Sequence, residues 1–550
     1  MEHNNTKNPL ARDNAEYRNL ATNSFFSFLF NYSSLFFTFI YSFLLARLFT
    51  DVVWGFLILA TSYITVIVII TSLLPSGLKF ALNYYIPRYL ALNEKSKIKS
   101  LIRNSIIIKL LLLIPVLIIS ILIFMIFGDI FEITLKDKVS LLFLLSPMIF
   151  INSLNYILNA INRGFSKFNY SFIFLLLKNA IHIIPLLIYY IFDINITIET
   201  VAFIILISAG IPFILNSLFI FIMIYSIKSP KTETDSFRKD LSKAFKYGKL
   251  IGLTDLLERL SGEAQIQGIG FFESSDMVTG FKISHNYQRL SEYSKVSFQS
   301  PLLTSFTTLN TKDNYAQARI IYRTIYKITL FLLLIISGIL FFSVEFTLDV
   351  VFLEDRLIYS NLLRLIVIAS IFRILDLFLQ TYLNAQRKVK ISLILKVIYI
   401  SFSLPLFFFG LIYFGVEGAI FFGLILGNII SFFIQIFTSY KFGNITLNIK
   451  KISILYFTFF ISLAITILLK TYLLKDASFM FIQNSGFSLF KNLDFLSIGS
   501  FLILFILLNL TFKTVSSSDI KNFKSILKEE RFFDKIMLKV LNILQKFTRD

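Results

Sequence analysis

The sequence predicts an all-α polytopic membrane protein with fourteen transmembrane helices, two parallel six-helix lobes plus two C-terminal helices, and both ends cytoplasmic. Three observations lead there. Of 550 residues, 56% are apolar and only 16% charged, with mean hydropathy +0.75; soluble domains carry about 25% charge. Apolar runs of about 20 residues, enough to cross about 30 Å of hydrocarbon, recur along the whole chain. Basic clusters fill every second connection between them.

In order, the runs fall at 24–46, 53–77, 105–127, 140–162, 169–191, 200–227, 249–271, 278–307, 328–343, 358–384, 393–412, 418–439, 452–470 and 496–512. The seventh and eighth carry several charges, and the ninth is short and extends into its neighbours. These runs give an N-terminal cytoplasmic segment 1–23, an N-lobe 24–227 and a basic cytoplasmic linker 228–248. A C-lobe 249–439, a final helix pair 452–512 and a basic tail 513–550 follow. The polar start makes the first helix an expected retained anchor rather than a cleaved leader. In the tail, Ile520, Phe523, Leu527, Ile536, Val540, Ile543 and Phe547 share one side of a helix. It suits either the anionic inner leaflet or a solvated helical extension.

The connections test this count. One side collects Lys79, Arg88, Lys95, Lys97, Lys99 and Arg103; Arg163 and Lys167; seven basic residues from Lys228 to Lys249; and Lys312, Arg319, Arg323 and Lys327. Further along come Arg387, Lys388, Lys390 and Lys396, then Lys441, Lys450 and Lys451. The other side carries Asp129, Glu132, Asp137, Asp193, Glu199, Glu273, Asp276, Glu345, Asp349, Glu354, Asp355 and Glu417. With both tails, about 38 Lys and Arg face about 13 acids on the first side, and about 7 face about 15 on the second. One helix more or fewer would break the alternation from that point onward.

A repeat emerges from the same reading. Asp51-Val52-Val53-Trp54-Gly55-Phe56 and Asp276-Met277-Val278-Thr279-Gly280-Phe281 share the pattern D-x-V-x-G-F at an offset of 225 residues. Leu158-Asn159-Ala160 and Leu383-Asn384-Ala385 recur at the same offset. An even number of helices per repeat makes the two halves enter the membrane in the same sense. A cavity between matched lobes is the architecture expected of alternating access.

Charges inside spans point to where such a cavity is wet. Lys109, Lys178, Arg259, Lys282, Arg289, Lys295, Arg364 and Arg373 stand against Asp255, Glu258, Glu263, Glu292 and Asp376. At about 2.5–3.5 kcal/mol each, exposing all of them to lipid would cost on the order of 30–45 kcal/mol, more than the ~5–15 kcal/mol stability of a typical protein. Asp255, Glu258, Arg259 and Glu263 share one face of the seventh helix, and Lys282, His285, Arg289 and Glu292 one face of the eighth. Arg373, Asp376 and Gln380 share a face of the tenth, Lys178 and His182 one of the fifth, and Asn23, Ser27, Asn31, Ser34 and Thr38 a stripe on the first. Arg259 with Glu263, and Arg373 with Asp376, fit structural ion pairs equally well. Lys109 is expected to snorkel to the cytoplasmic interface; Arg364 and Lys282 lie towards the outer end, where snorkelling competes with a role in the cavity. His182 beside Lys178 reads first as a packed polar residue.

The excluded classes narrow the function. With no Cys there is no disulfide, thiolate metal site or Cys nucleophile, and His3, His182 and His285 are too scattered for a zinc motif. No cofactor or metal is expected. The +20 net charge does not imply a nucleic-acid partner, because the basic residues sit in short clusters between apolar runs. No G-x-x-x-x-G-K-[ST] phosphate loop occurs, so the chain is not expected to hydrolyse ATP. A net-positive interior favours an anion, since Arg grips phosphate oxygens in a fork and Lys as a point charge. A diphosphate-linked oligosaccharide on a polyprenyl tail would use both, with the last two helices serving the lipid.

Ala46-Arg47-Leu48, Asp51 to Phe56 and Ser76-Gly77-Leu78 resemble the opening of the polysaccharide-biosynthesis branch, the O-antigen-type flippases, of the multidrug/oligosaccharidyl-lipid/polysaccharide exporter superfamily. Phe272 to Phe281 resembles the matching turn of its second lobe. The resemblance implies a non-enzymatic flippase in the cytoplasmic membrane, moving a lipid-linked oligosaccharide outward for surface polysaccharide or glycoconjugate assembly. Its partners would be that substrate, membrane lipids and other glycan-assembly proteins. Lys178, Arg259, Lys282, His285, Arg289, Lys295 and Arg373 are the expected substrate contacts; Asp255, Glu258, Glu263 and Asp376 are the expected ion-coupling groups. Helix 1 lacks the acid usual in the drug-exporting branch, although Asp255 and Glu258 leave second-lobe coupling open. Arg47 is peripheral, unlike the arginines of the peptidoglycan-precursor branch. A cation-coupled exporter of the same fold is the first alternative. A membrane glycan polymerase or ligase is the second, disfavoured by an outer connection, about 471–495, with few acids and no His.

Overall fold

A computed structural model describes residues 29–30, 32–73, 77–92, 94–165, 167–227, 237–311, 315–386, 388–472, 493–512 and 514. The basic tail apart from Thr514, the 228–236 part of the linker and Asn23, Ser27 and Asn31 lie outside them. Every regular element among the described residues is helical. Helices satisfy their own backbone N–H and C=O groups, as a chain in hydrocarbon must.

Two compact units divide the chain, residues 1–279 and 280–550. The first holds α1 (Tyr32–Leu48), α2 (Asp51–Leu73), α3 (Leu78–Ala91), α4 (Lys95–Ile126), α5 (Gly128–Leu135), α6 (Ser140–Leu145), α7 (Pro147–Gly164), α8 (Phe168–Ile191), α9 (Ile198–Ser226) and α10 (Phe237–Phe272). The division falls in the second turn of α11 (Ser275–Thr311). Then follow α12 (Tyr315–Phe342), α13 (Val344–Thr347), α14 (Ser360–Ile371), α15 (Ile374–Ala385), α16 (Val389–Ala419), α17 (Gly427–Gly443), α18 (Ile449–Tyr472) and α19 (Leu493–Thr511).

In the first unit Leu82, Ile86, Leu101, Ile102 and Ile161 form a dry seam between α3, α4 and α7. The seventh predicted span, α10, packs here on α2 and α3. Packing and sequence duplication therefore divide the chain at different points. The cause is local. Gly77, at φ +82°, brings its backbone so close to Gly248 that a Cβ on Gly248 would lie 2.2 Å from Gly77 Cα. Further along α10, Gln267 donates to the Leu59 carbonyl at 3.3 Å.

Both D-x-V-x-G-F copies open helices, with Asp51 and Asp276 in first turns, where the helix dipole favours a carboxylate. The copies also touch: a Cβ on Gly55 would stand 1.9 Å from the Ser275 carbonyl oxygen, and Thr279 Oγ1 donates to the Asp51 carbonyl at 2.7 Å. The fourth predicted span breaks before Pro147 and the tenth between Ile371 and Ile374. Pro147 and Phe372, one at each break, repeat the offset of 225.

Nine described segments are long and apolar enough to cross a membrane. α10 and α11 are not among them, because their charges depress the hydropathy; α14 and α15 are 12 residues each, and α1 is short. One of the nine, residues 389–443, is a hairpin. Gly415 at φ 68° and ψ −163° breaks the helix, and Gly410 lies against Gly418, Phe407 against Gly423, and Ser403 against Gly427. These pairs step outward about Gly415, so the arms run antiparallel.

Gly248→Val should lower the melting temperature of the detergent-solubilised protein, since overpacking costs about 1–3 kcal/mol. Gly262 lies on the same helix, where an added Cβ would meet no described atom within 4 Å. It should tolerate Ala and gain about 1 kcal/mol of helix propensity. Equal behaviour of the two variants in a circular-dichroism melt would contradict the α3–α10 contact.

Candidate functional site

In the first unit the polar groups of several helices meet. On α10, Arg259 Nε lies 3.3 Å from Asp255 Oδ1, one turn back, and its NH1 donates to the Tyr156 hydroxyl of α7 at 2.7 Å. The guanidinium carbon sits 5.3 Å from the Tyr156 ring centroid, and Lys79 Nζ of α3 is 5.6 Å from the same centroid. Arg163, near the end of α7, lies within electrostatic reach of Lys79 and stands 5.8 Å over the Phe30 ring. Burial lowers the pKa of the Lys79 amine, Asp255 pulls it back up, and Arg259 and Arg163 push it down again; the net shift is downward.

Glu263 takes a different partner from the expected Arg259: Ser62 Oγ of α2 donates to it at 2.5 Å. Arg259 turns to Asp255 because Tyr156 lies on that side. Glu258 is on the exposed side of α10. Lys178, half-buried on α8, lies within electrostatic reach of His182. The His182 ring packs on Tyr41 of α1 at 4.2 Å, and its Nε2 is buried with no hydrogen-bond partner among the described residues. Thr38 spends its hydroxyl on the Ser34 carbonyl at 2.7 Å. Lys109 does not snorkel: it is 3% exposed and donates to the Thr71 carbonyl of α2. A helix end that offers a carbonyl within reach costs less than stretching an amine to the interface.

In the second unit the spacing on α11 holds. Arg289, Lys282, Glu292 and Arg373 all lie within electrostatic reach of His285, which packs edge-on against Phe281 at 4.6 Å. Arg289 is exposed. Arg373, at the break between α14 and α15, stands 3.9 Å from Glu292 Oε1, and Gln288 approaches the same oxygen at 3.5 Å. The Lys295 side chain lies outside what the structure describes. Asp376 pairs with Lys396 Nζ at 3.0 Å and accepts from Gln435 Nε2 at 3.4 Å. Lys396, read from sequence as a loop residue, is 3% exposed on α16. Its flanks, Leu395 and Val397, are the available signal: a lone Lys inside an apolar run needs a buried acid.

A second cluster is invisible to helical periodicity because its members come from four segments. Arg364 of α14 binds Glu345 of α13 rather than snorkelling. Lys470 of α18 bridges Glu345 at 3.0 Å and Asp494 of α19 at 2.8 Å. Asp494, 2% exposed, also accepts from the Phe346 backbone N–H at 2.9 Å. Burial raises the Glu345 carboxyl, but Lys470 and Arg364 outweigh it and hold the group below its usual range.

No family model and no curated protein sequence matches the chain. Solved structures do share its fold. An inward-facing multidrug resistance MATE family transporter of the MOP superfamily superposes with TM-score 0.59 and 15% identity, over 72% of this chain and 93% of its own. The Vibrio cholerae MATE transporter VcmN in its bent form gives 0.53 and 15%, over 77% and 96%. The lipid II flippase MurJ in an inward closed conformation gives 0.62 and 15%, over 89% and 98%. The chain thus shares the fold of these transporters and of this flippase.

Asp376→Asn should destabilise the protein by about 3 kcal/mol, the cost of stranding a buried charge, whereas Asp376→Leu combined with Lys396→Met should recover most of it in a thermal melt. Because the Glu345 pKa is depressed on folding, its contribution is present above the unfolded carboxylate value and is lost as pH falls through the lower folded value. Melting temperature should therefore drop on acidification below about pH 4.5, and Glu345→Gln should flatten that part of the profile.

Proposed function

We propose that the protein is a flippase that carries a polyprenyl-diphosphate-linked oligosaccharide across the cytoplasmic membrane by alternating access, for surface polysaccharide or glycoconjugate assembly. The observation that carries this choice over a drug exporter is the reach of the structural likeness. The flippase fold accounts for 89% of the chain, the two MATE folds for 72% and 77%. A lipid-linked substrate gives the additional helices a use, as a surface for its tail, and Lys470 fastens α18 and α19 to α13 by two ion pairs.

In this reading the chain crosses the membrane fourteen times with both ends inside. The nine apolar segments are joined by α1, the two charged helices α10 and α11, the broken pair α14–α15 and the second arm of the 389–443 hairpin. Arg259 and Lys178 in the first unit, and Lys282, His285, Arg289, Lys295 and Arg373 in the second, serve the diphosphate and the sugars. Asp255, Glu258, Glu263 and Asp376 are the groups through which a proton or cation gradient would act; Asp376 would do so by exchanging Lys396 for the incoming cation. The carried glycan, lipids and other assembly proteins are its proposed partners. The multidrug alternative keeps the carboxylates of α10 in its favour and predicts a different phenotype.

A strain lacking the gene should lose surface glycan and accumulate lipid-linked intermediates, and the wild-type chain should reverse both. Arg289→Ala and Arg373→Ala should each restore at most about a tenth of the glycan, a loss near 1.4 kcal/mol of binding. Full restoration by both would remove the anion-contact role. Resistance to organic cations without any change in glycan would favour the exporter.

A further inference from the structure

We propose that Lys79 and Arg259, which meet at Tyr156 in the first unit, form with Arg163, within electrostatic reach of Lys79, a seat for a diphosphate ester. Two of these cations lie in stretches whose basic residues sequence alone explains by topology, since Lys79 follows the second span and Arg163 ends the fourth. The structure gives them a second property. Lys79 and Arg259 converge from α3 and α10 on one phenol of α7, and Arg163 of α7 lies within electrostatic reach of Lys79.

The convergence favours an anion. Lys79 feels the Asp255 carboxylate and two guanidinium groups besides. Two cations sit over the same ring, at 5.6 and 5.3 Å from its centroid. A ring face offsets part of a positive charge but carries no net charge of its own. The phenol oxygen of Tyr156 accepts from Arg259, which leaves the phenol proton to donate to an incoming oxygen. Solvent reaches the group: the Arg259 and Asp255 side chains are 37% and 44% exposed. A doubly charged, multi-oxygen anion matches three donors of this kind better than a single carboxylate does.

The shared chemistry is a phosphate ester, which two sources supply: the diphosphate of a lipid-linked substrate, or the headgroup of a resident anionic phospholipid. The seat commits to the diphosphate, because cations arriving from three helices can be met together by two linked phosphates more readily than by one. Its identification as the substrate's diphosphate rests on the flippase reading; the seat itself does not.

Isothermal titration of inorganic diphosphate into the full chain, held in phosphatidylcholine nanodiscs, tests the seat. Affinity should fall about tenfold for each cation removed, hence about 100-fold in Lys79→Ala/Arg163→Ala, and should weaken with added salt. Lys79→Arg/Arg163→Lys, which keeps the charge, should retain binding and shows that loss in the alanine pair is not misfolding. Lys138→Gln, at an exposed pair with Glu199, should change nothing. Absent binding, or binding indifferent to the alanine pair, overturns the proposal. So does loss of diphosphate binding when phosphatidylglycerol is added to the discs, which would assign the seat to a headgroup. If diphosphate binds as expected but surface glycan is unaffected by deleting the gene, the seat stands and the flippase reading fails.

Discussion

A charge inside hydrocarbon must be answered within reach of its own side chain, and that constraint decides which helices of this protein meet. Each answer demands a different geometry. Lys396 and Asp376 answer one another at 3.0 Å, which fixes α16 against α15. Lys109 answers with a backbone carbonyl of α2, possible where a helix end leaves carbonyls unpaired. Arg259 answers with a carboxylate on its own helix and a phenol on another. At about 2.5–3.5 kcal/mol per unanswered charge at the centre of a membrane helix, each pairing outweighs several ordinary packing contacts.

Pairing requires close approach, and lipid does not push helices together as water does. Small residues supply the approach instead. Gly77 meets Gly248 backbone to backbone, and Gly410 meets Gly418 beside the Gly415 break. In the hairpin, Ser403 then donates to the Gly423 carbonyl at 2.7 Å, a bond that a side chain at position 423 would hold apart. Glycine is thus the condition for such close polar contacts. The same logic explains why Gly55 sits in the repeated motif: its missing side chain lets the start of α2 lie against Ser275.

Much of the fold is legible in the sequence because it depends on patterns along one chain. Hydropathy places most of the apolar helices within a few residues, although α4 and α12 begin ten and thirteen residues before the predicted spans. It locates the turn between 393–412 and 418–439 where Gly415 breaks the helix, and the motif offset of 225 recurs in the breaks at Pro147 and Phe372. On α11 the helical period gathers Lys282, His285, Arg289 and Glu292 correctly. What periodicity lacks is the neighbour. Arg259 has an acid both four before and four after it, and only the presence of Tyr156 and Ser62 on adjacent helices decides that Asp255 pairs and Glu263 turns away. Basic company assigns Lys396 to a loop, although its flanking Leu395 and Val397 place it in a span. Lys470, Glu345 and Asp494 cannot be joined at all from sequence, because the segments that carry them are distant along the chain.

The clusters differ in one respect that bears on what they do. Lys396 and Asp376 cancel, and so do Arg364 and Lys470 against Glu345 and Asp494. Closed sets like these stiffen a fold, because any ligand entering them must first break an existing pair. Around Tyr156, by contrast, three cations share one acid: Arg259 pairs with Asp255, Lys79 and Arg163 add positive charge beside them, and the group is partly open to solvent. Holding like charges close together is unfavourable, so the fold has already supplied the work of assembling them, and an arriving anion gains the attraction without that cost. A binding group is best sought where like charges are assembled and reachable, and in the first unit that place is the face of Tyr156.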